Sequence, residues 1–207
     1  DYFTDTYGLT ISVAAGNESE SGFLGLWTNP GPVSSPGICY NVITVAAMNT
    51  QGTVDRNDDD IAIFSSRGPT VSGRRKPDLA APGGLRDELR LSGWQPVFGT
   101  YSADHQSGNF VPKPGTSMAA PHIAGAVALL RQAGVREPLA IKALLLNTTD
   151  WLFWRNDRGW GYANLARAFG QRSNALTSTL ASSRVRLYRG LARGLFYSSL
   201  TWNRSVN

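Results

Sequence analysis

Two histidines and one cysteine are all that this 207-residue chain offers in imidazoles and thiols. With Cys39 alone, no intrachain disulfide forms and no cysteine-rich metal site can be assembled. Long apolar runs are missing too, and no segment approaches the roughly 18 residues a membrane-spanning helix needs. Nor is there a dense basic block, although the net charge is +5 and the isoelectric point about 9.7. The closest sets, Arg74-Arg75-Lys76 and the spaced Arg184, Arg186, Arg189 and Arg193, read as solvated faces, which argues against a nucleic acid partner. Internal repeats and low-complexity tracts are absent. An initiating methionine and a signal peptide are absent as well: the chain opens at Asp1-Tyr2 in what reads as mid-domain sequence, so the expectation is an internal piece.

What is present is a globular composition, 42% hydrophobic and 17% charged, with 22 glycines and 11 prolines that call for many tight turns. Residues 9–15 (LTISVAA) read as a buried parallel strand that breaks off at Gly16-Asn17, which would leave Asn17 at the strand's carboxyl end. In open parallel sheets, ligand-binding and catalytic groups gather at that edge. Residues 41–48 (NVITVAAM) form a second run of the same kind, and a third lies near residues 61–64. Residues 76–83 read as a strand pinned by two prolines. Residues 83–113 show no periodicity and are expected to be an irregular surface excursion. Helices are expected over residues 117–133 and 138–146, separated by Gly134, with a short one ending near Phe169. Cys39 is expected to be a small buried residue.

The chemistry concentrates in Gly115-Thr116-Ser117-Met118-Ala119-Ala120-Pro121-His122, followed by Ile123-Ala124-Gly125. A serine between a glycine turn and a long apolar helix stands where helix partial positive charge gathers. A serine hydroxyl needs a base and an oxyanion partner to act as a nucleophile. The ordinary alternative for such a serine is a helix cap. The run resembles the nucleophile motif GTSMAxPHxxG of the subtilisin-like serine proteases from Gly115 to Gly125. Residues 11–17 (ISVAAGN) are similar to the strand and oxyanion-hole asparagine of the same family. The resemblance implies Ser117 as nucleophile and Asn17 as oxyanion donor, together with the Ser117 N–H. It also implies a substrate-binding wall of Ala14, Ala15, Gly16 and Thr116, suited to a roomy and largely apolar site. Further matches at residues 41–47, 64–69, 76–83, 147–149 and 159–164 are mainly architectural. Together they imply an α/β, three-layer subtilisin-like fold with a mostly parallel sheet and a central nucleophile helix, over residues 1–172.

The departure from the family is as informative as the match. Its triad runs Asp, then His, then Ser along the chain, and neither upstream motif is here. Only His105 and His122 remain. His122 sits on the nucleophile helix, where packing or local capping is the expected role. His105, beside Asp104, lies in the irregular stretch, and catalytic imidazoles need rigid orientation. The reading is therefore the C-terminal part of a peptide-hydrolysing catalytic domain, acting on protein or peptide substrates with Asp and His supplied by an absent N-terminal half. A catalytically silent binding or scaffolding domain is the alternative. No cofactor is needed for the chemistry. Structural calcium is compatible with the family, and Asp55, Asp58, Asp59 and Asp60 form a carboxylate-rich turn, although a solvated acidic loop is the simpler reading. Glycan-acceptor patterns occur at Asn17, Asn147 and Asn203. Residues 173–183 read as a linker, and 184–207 as the start of a β module. The family resemblance implies an extracellular or cell-envelope location.

Overall fold

The computed structural model describes residues 1–21, 28–151 and 153–177. The expected β module and most of the expected linker lie outside the described residues. Helix α1 (Tyr2–Tyr7) leads into strand β1 (Ser12–Ala14), followed by β2 (Glu20–Ser21), β3 (Thr28–Asn29), β4 (Ile43–Asn49), β5 (Asp60–Ile61) and β6 (Leu79–Gly84). Next come β7 (Arg86–Arg90), β8 (Gly93–Phe98), β9 (Thr100–Ala103) and β10 (Phe110–Lys113), then helices α2 (Thr116–Gln132), α3 (Pro138–Asn147) and α4 (Leu165–Gly170). Strand β4 is the centre of the main sheet. It pairs in parallel with β1 and with β6, and its far end takes the short antiparallel β5. All seven of its residues are buried, which explains why its sequence is apolar apart from Thr44 and the terminal Asn49 and does not alternate.

The two faces of β4 bury different sets. Ile43, Val45 and Ala47, with Leu79 and Ala81 of β6, pack against Ala119, Ile123, Ala126, Val127 and Leu130 of α2 and against Ile141, Leu144 and Leu145 of α3. Ala46, Met48 and Ala80 form a smaller cluster with Ile61 and Tyr162 on the other face. The 3–4-residue spacing of the buried α2 positions fixes the face this helix turns to the sheet. Pro138 opens α3 at a position where no N–H is needed.

Residues 83–113 differ from expectation. They fold as two antiparallel hairpins, β7 with β8 and β9 with β10. Their strands are exposed or half-buried almost throughout, so neither face imposes the alternation by which a strand is recognised in sequence. Cys39 is half-buried rather than buried. The acidic turn satisfies itself locally: Thr53 donates to Asp58, Asp55 accepts from Asn57, and Asp60 accepts from the Ile61 N–H. Among the described residues, no group of three or more His, Cys, Asp or Glu side chains is arranged to hold a metal ion.

At the N-terminal ends of β4 and β6, opposite the edge where Asn17 lies, three charges are buried together. Asp78 accepts from Lys76 Nζ at 2.5 Å and from the Thr44 N–H at 2.8 Å, and pairs with Lys142 Nζ at 3.2 Å. Burial alone would push its carboxyl up, but Lys142 and Lys76 outweigh burial and hold it below the ordinary carboxylate range. Asp157 behaves alike, with burial overcome by Arg158 and Arg155. A carboxylate depressed in the folded state contributes stability above its unfolded pKa, and that contribution is lost as pH falls through the folded value. Asp87 runs the other way, since burial raises it, but its contribution is lost as pH rises above about 4 and does not mask the acid limb. Urea midpoints are therefore expected to fall as pH drops below about 4, and to fall less steeply in Asp78→Asn. Parallel slopes in the two proteins would contradict this assignment.

Candidate active site

The first turn of α2 and the turn after β1 meet at the carboxyl edge of the sheet. Gly115 enters the helix at φ +153°, tied to β6 by its N–H on the Gly83 carbonyl. Thr116 follows, fully buried, and then Ser117, exposed. The Thr116 hydroxyl accepts from the Gly16 N–H at 3.2 Å and donates to Asn17 Oδ1 at 3.0 Å, while the Thr116 N–H donates to the same oxygen at 3.0 Å. With Oδ1 held twice, the Asn17 amide has one orientation, and its Nδ2 is left to face outward. A β-carbon built on Gly115 would lie 3.6 Å from Asn17 Nδ2 and 3.7 Å from the Ser117 nitrogen. Asn17 Nδ2 and the Ser117 nitrogen therefore border one small space at Gly115, with Met118 Sδ 3.4 Å from the same point, and a side chain at 115 would enter it. The neighbouring helix N–H groups of Met118 and Ala119 are taken up by the Gly115 carbonyl, whereas that of Ser117 has no partner among the described residues. Such a pair of donors can stabilise negative charge on a carbonyl oxygen attacked by the serine.

The other residues singled out in sequence fall as follows. Ala14 shares a strand face with Ser12, whose hydroxyl donates to the Ala120 carbonyl of α2 at 2.7 Å, so that face lies under the helix start. Ala14 and Gly16 are half-buried, but Ala15 points into the interior and is 1% exposed. Thr116, grouped with the substrate-binding wall in sequence, is buried with its hydroxyl committed to Gly16 and Asn17. It fixes the asparagine instead of lining open space.

Neither histidine is oriented toward Ser117. His122 Nδ1 is 2.9 Å from the Met118 carbonyl, one turn back on its own helix. His105 lies in the turn closing the β9–β10 hairpin, four strand residues, or about 13 Å, beyond the hairpin's base next to Gly115. His105 Nδ1 is 3.7 Å from one oxygen of its neighbour Asp104, and the hydroxyl and N–H of Ser107 take the other oxygen and hold that carboxylate below its ordinary pKa.

Sequence reasoning passed over Ser65 and Ser66. Ser66 Oγ accepts from the Glu18 N–H at 3.1 Å and donates to the Glu18 carboxylate, and the Ser66 N–H donates to the Gly16 carbonyl at 2.9 Å. Their sequence signal was the architectural match at residues 64–69, which says nothing of a partner 48 positions upstream of Ser66.

Against known proteins, a family model described as the subtilase family matches residues 2–171. The serine protease AprX of Bacillus subtilis is 38% identical over 144 residues, which cover 69% of this chain and 30% of AprX. Pyrolysin of Pyrococcus furiosus is 31% identical over 206 residues, covering 82% of this chain and 13% of pyrolysin. The chain thus spans less than a third of either relative. Among solved structures, the self-cleaved protease domain of PatA superposes with a TM-score of 0.55 over 84% of this chain and 54% of that one, at 21% identity, a likeness of fold.

Proposed function

The chain belongs to the subtilase family, and from that premise we propose that it is the nucleophile-bearing part of a serine endopeptidase. The observation that carries the proposal is the convergence of Asn17 Nδ2 and the main-chain nitrogen of the exposed Ser117 on one small space at Gly115. In this reading Ser117 Oγ attacks the scissile carbonyl of a protein or peptide substrate, and its proton passes to a histidine outside this chain, held by an aspartate. The oxyanion is bound by Asn17 and the Ser117 N–H. Collapse of the tetrahedral intermediate breaks the C–N bond, the protonated histidine gives its proton to the leaving amine, and water then hydrolyses the acyl-serine.

Two open surfaces support a completing segment. Ile11 and Ala15 use their main-chain groups on β4, so those of Ser12 and Ala14 point to the other edge of β1, which has no strand partner among the described residues. The face of α2 bearing Ser117, Pro121, Ala124 and Ala128 is exposed, with Leu129 beside it 50% exposed. Both surfaces begin at the candidate site. An N-terminal half of the domain that pairs with β1 and covers this face would place a base next to Ser117. We assign the enzyme to the extracellular or envelope space on the family resemblance alone.

The placement of both histidines away from Ser117 favours a second reading, a catalytically silent domain. Peptide hydrolysis by the polypeptide that joins this chain to its upstream segment separates the two. Steady release of amine product from a peptide is the expected result, with an acyl-enzyme burst equal to the enzyme concentration when an activated ester takes the peptide's place. A folded, complete polypeptide without turnover would favour the silent reading.

A further inference from the structure

Thr116 fixes how the Asn17 amide is turned and accepts from the Gly16 N–H, but it makes no bond to the main chain of residues 17–19. Residues 16–19 belong to no strand, so their position depends on what grips them from the side away from α2. That grip comes from residues 64–66. The Ser66 N–H holds the carbonyl of Gly16, just before Asn17. The Ser66 hydroxyl holds both the N–H and the carboxylate of Glu18, just after it. One residue on, the Ser19 N–H donates to the Phe64 carbonyl at 3.3 Å and the Ser19 hydroxyl to the Ser65 carbonyl at 2.8 Å. The loop supplying these bonds is itself anchored to the core: Ser65 Oγ accepts from the Ala47 N–H of β4 at 3.1 Å, and the Ser65 N–H donates to the Ala62 carbonyl at 3.0 Å. Both serines are fully buried, so water does not compete for these hydroxyls.

The Glu18 carboxylate reaches Ser66 by folding back over Gly16, where a β-carbon would strike both Glu18 Oε2 and Ser66 Oγ. Gly16 also has φ +112°, a conformation that side chains rarely adopt. The glycine before the asparagine is thus what lets the clamp close.

We propose that Ser66 is a positioning residue for the oxyanion donor, acting through the Glu18 and Gly16 main chain to hold the Asn17 amide at the distance the transition state needs. This rests on the endopeptidase reading and extends it. Catalytic rates fall steeply with misplacement of about 1 Å. Oxyanion donors act on the charge that develops in the transition state, so a displaced Asn17 lowers kcat and leaves KM nearly as it was.

The test is a double-mutant cycle in the complete polypeptide, with an NMR measurement on the 207-residue chain. Ser66→Ala is expected to lower kcat about tenfold with KM changed less than twofold. In an Asn17→Ala background the same substitution is expected to cost less than twofold, because the group it positions is already gone. An equal loss in both backgrounds would make Ser66 a general structural residue and overturn the proposal. The Asn17 side-chain amide pair should be rigid in the parent chain and mobile in Ser66→Ala, and unchanged mobility would also overturn it. Should the complete wild-type polypeptide fold but show no turnover, the endopeptidase reading fails, and the amide mobility alone decides the clamp.

Discussion

Asp78→Ala is expected to destabilise the fold by about 3–5 kcal/mol, because it strands two buried ammonium groups. Lys76 and Lys142 are 3% and 6% exposed, and Asp78 is the carboxylate that both share. Their remaining acceptors are main-chain carbonyls, Val42 for Lys76 and Tyr40 and Val42 for Lys142, which satisfy hydrogen bonds but do not neutralise charge. Even with Asp78 present, burial, aided by Lys142, pulls the Lys76 ammonium down to about 8. Because Asp78 is what holds the Lys76 ammonium up to about 8, the variant releases that proton at lower pH, so the penalty should shrink as pH rises toward about 8 and level off above it. Urea titrations at pH 7 and pH 9 measure this directly. Replacing all three residues by apolar ones should recover most of the loss, since a buried ionic triad is seldom worth more than good packing. A single-mutant cost below about 1 kcal/mol would mean that water reaches the triad.

Asn17→Ala is expected to lower kcat of the complete enzyme by about 10²–10³ while leaving KM within a few-fold, the scale established for loss of the oxyanion-hole asparagine in subtilisin. The expectation follows from geometry. Thr116 holds Asn17 Oδ1 with two bonds, so the donor is preorganised and its side chain adds nothing to ground-state binding that alanine would forfeit. Stability should fall as well, by about 1–3 kcal/mol, because the substitution removes the acceptor shared by the N–H and the hydroxyl of the fully buried Thr116. Steady-state kinetics on a set of peptide substrates checks the split between kcat and KM. A loss confined to KM would assign Asn17 to substrate binding, and a loss below about fivefold would remove it from the chemistry.

The parts of the fold legible in sequence were those with a buried face on both sides or a regular helical stripe. Strand β4 announced itself by six apolar or small residues in a row, 43–48, and α2 and α3 by their length and flanking Gly115, Gly134 and Pro138. The hairpins of residues 86–113 were hidden because Arg86-Asp87-Glu88-Leu89-Arg90 and its neighbours bury neither face, and polar strands look like loops. Ser117 and Asn17 were legible as candidates because glycines stand before them, Gly16 at φ +112° with the Glu18 and Ser66 side chains against it and Gly115 at φ +153° beside Asn17 Nδ2. Thr116 was read as part of the substrate-binding wall, and the burial of its hydroxyl against Gly16 and Asn17 is not written in the motif. The Ser66 clamp and the Lys76–Asp78–Lys142 triad depend on contacts between distant segments, 48 positions apart for Ser66 and Glu18, and no local pattern encodes them.

The central claim, that Ser117 is an activated nucleophile once a base is supplied, is tested most directly by mapping a fluorophosphonate adduct by mass spectrometry. The account predicts stoichiometric labelling of the Ser117 peptide in the complete polypeptide, and none in the folded 207-residue chain alone, whose two histidines lie elsewhere. An unlabelled Ser117 in the folded complete polypeptide, or an adduct on a different serine, would contradict it.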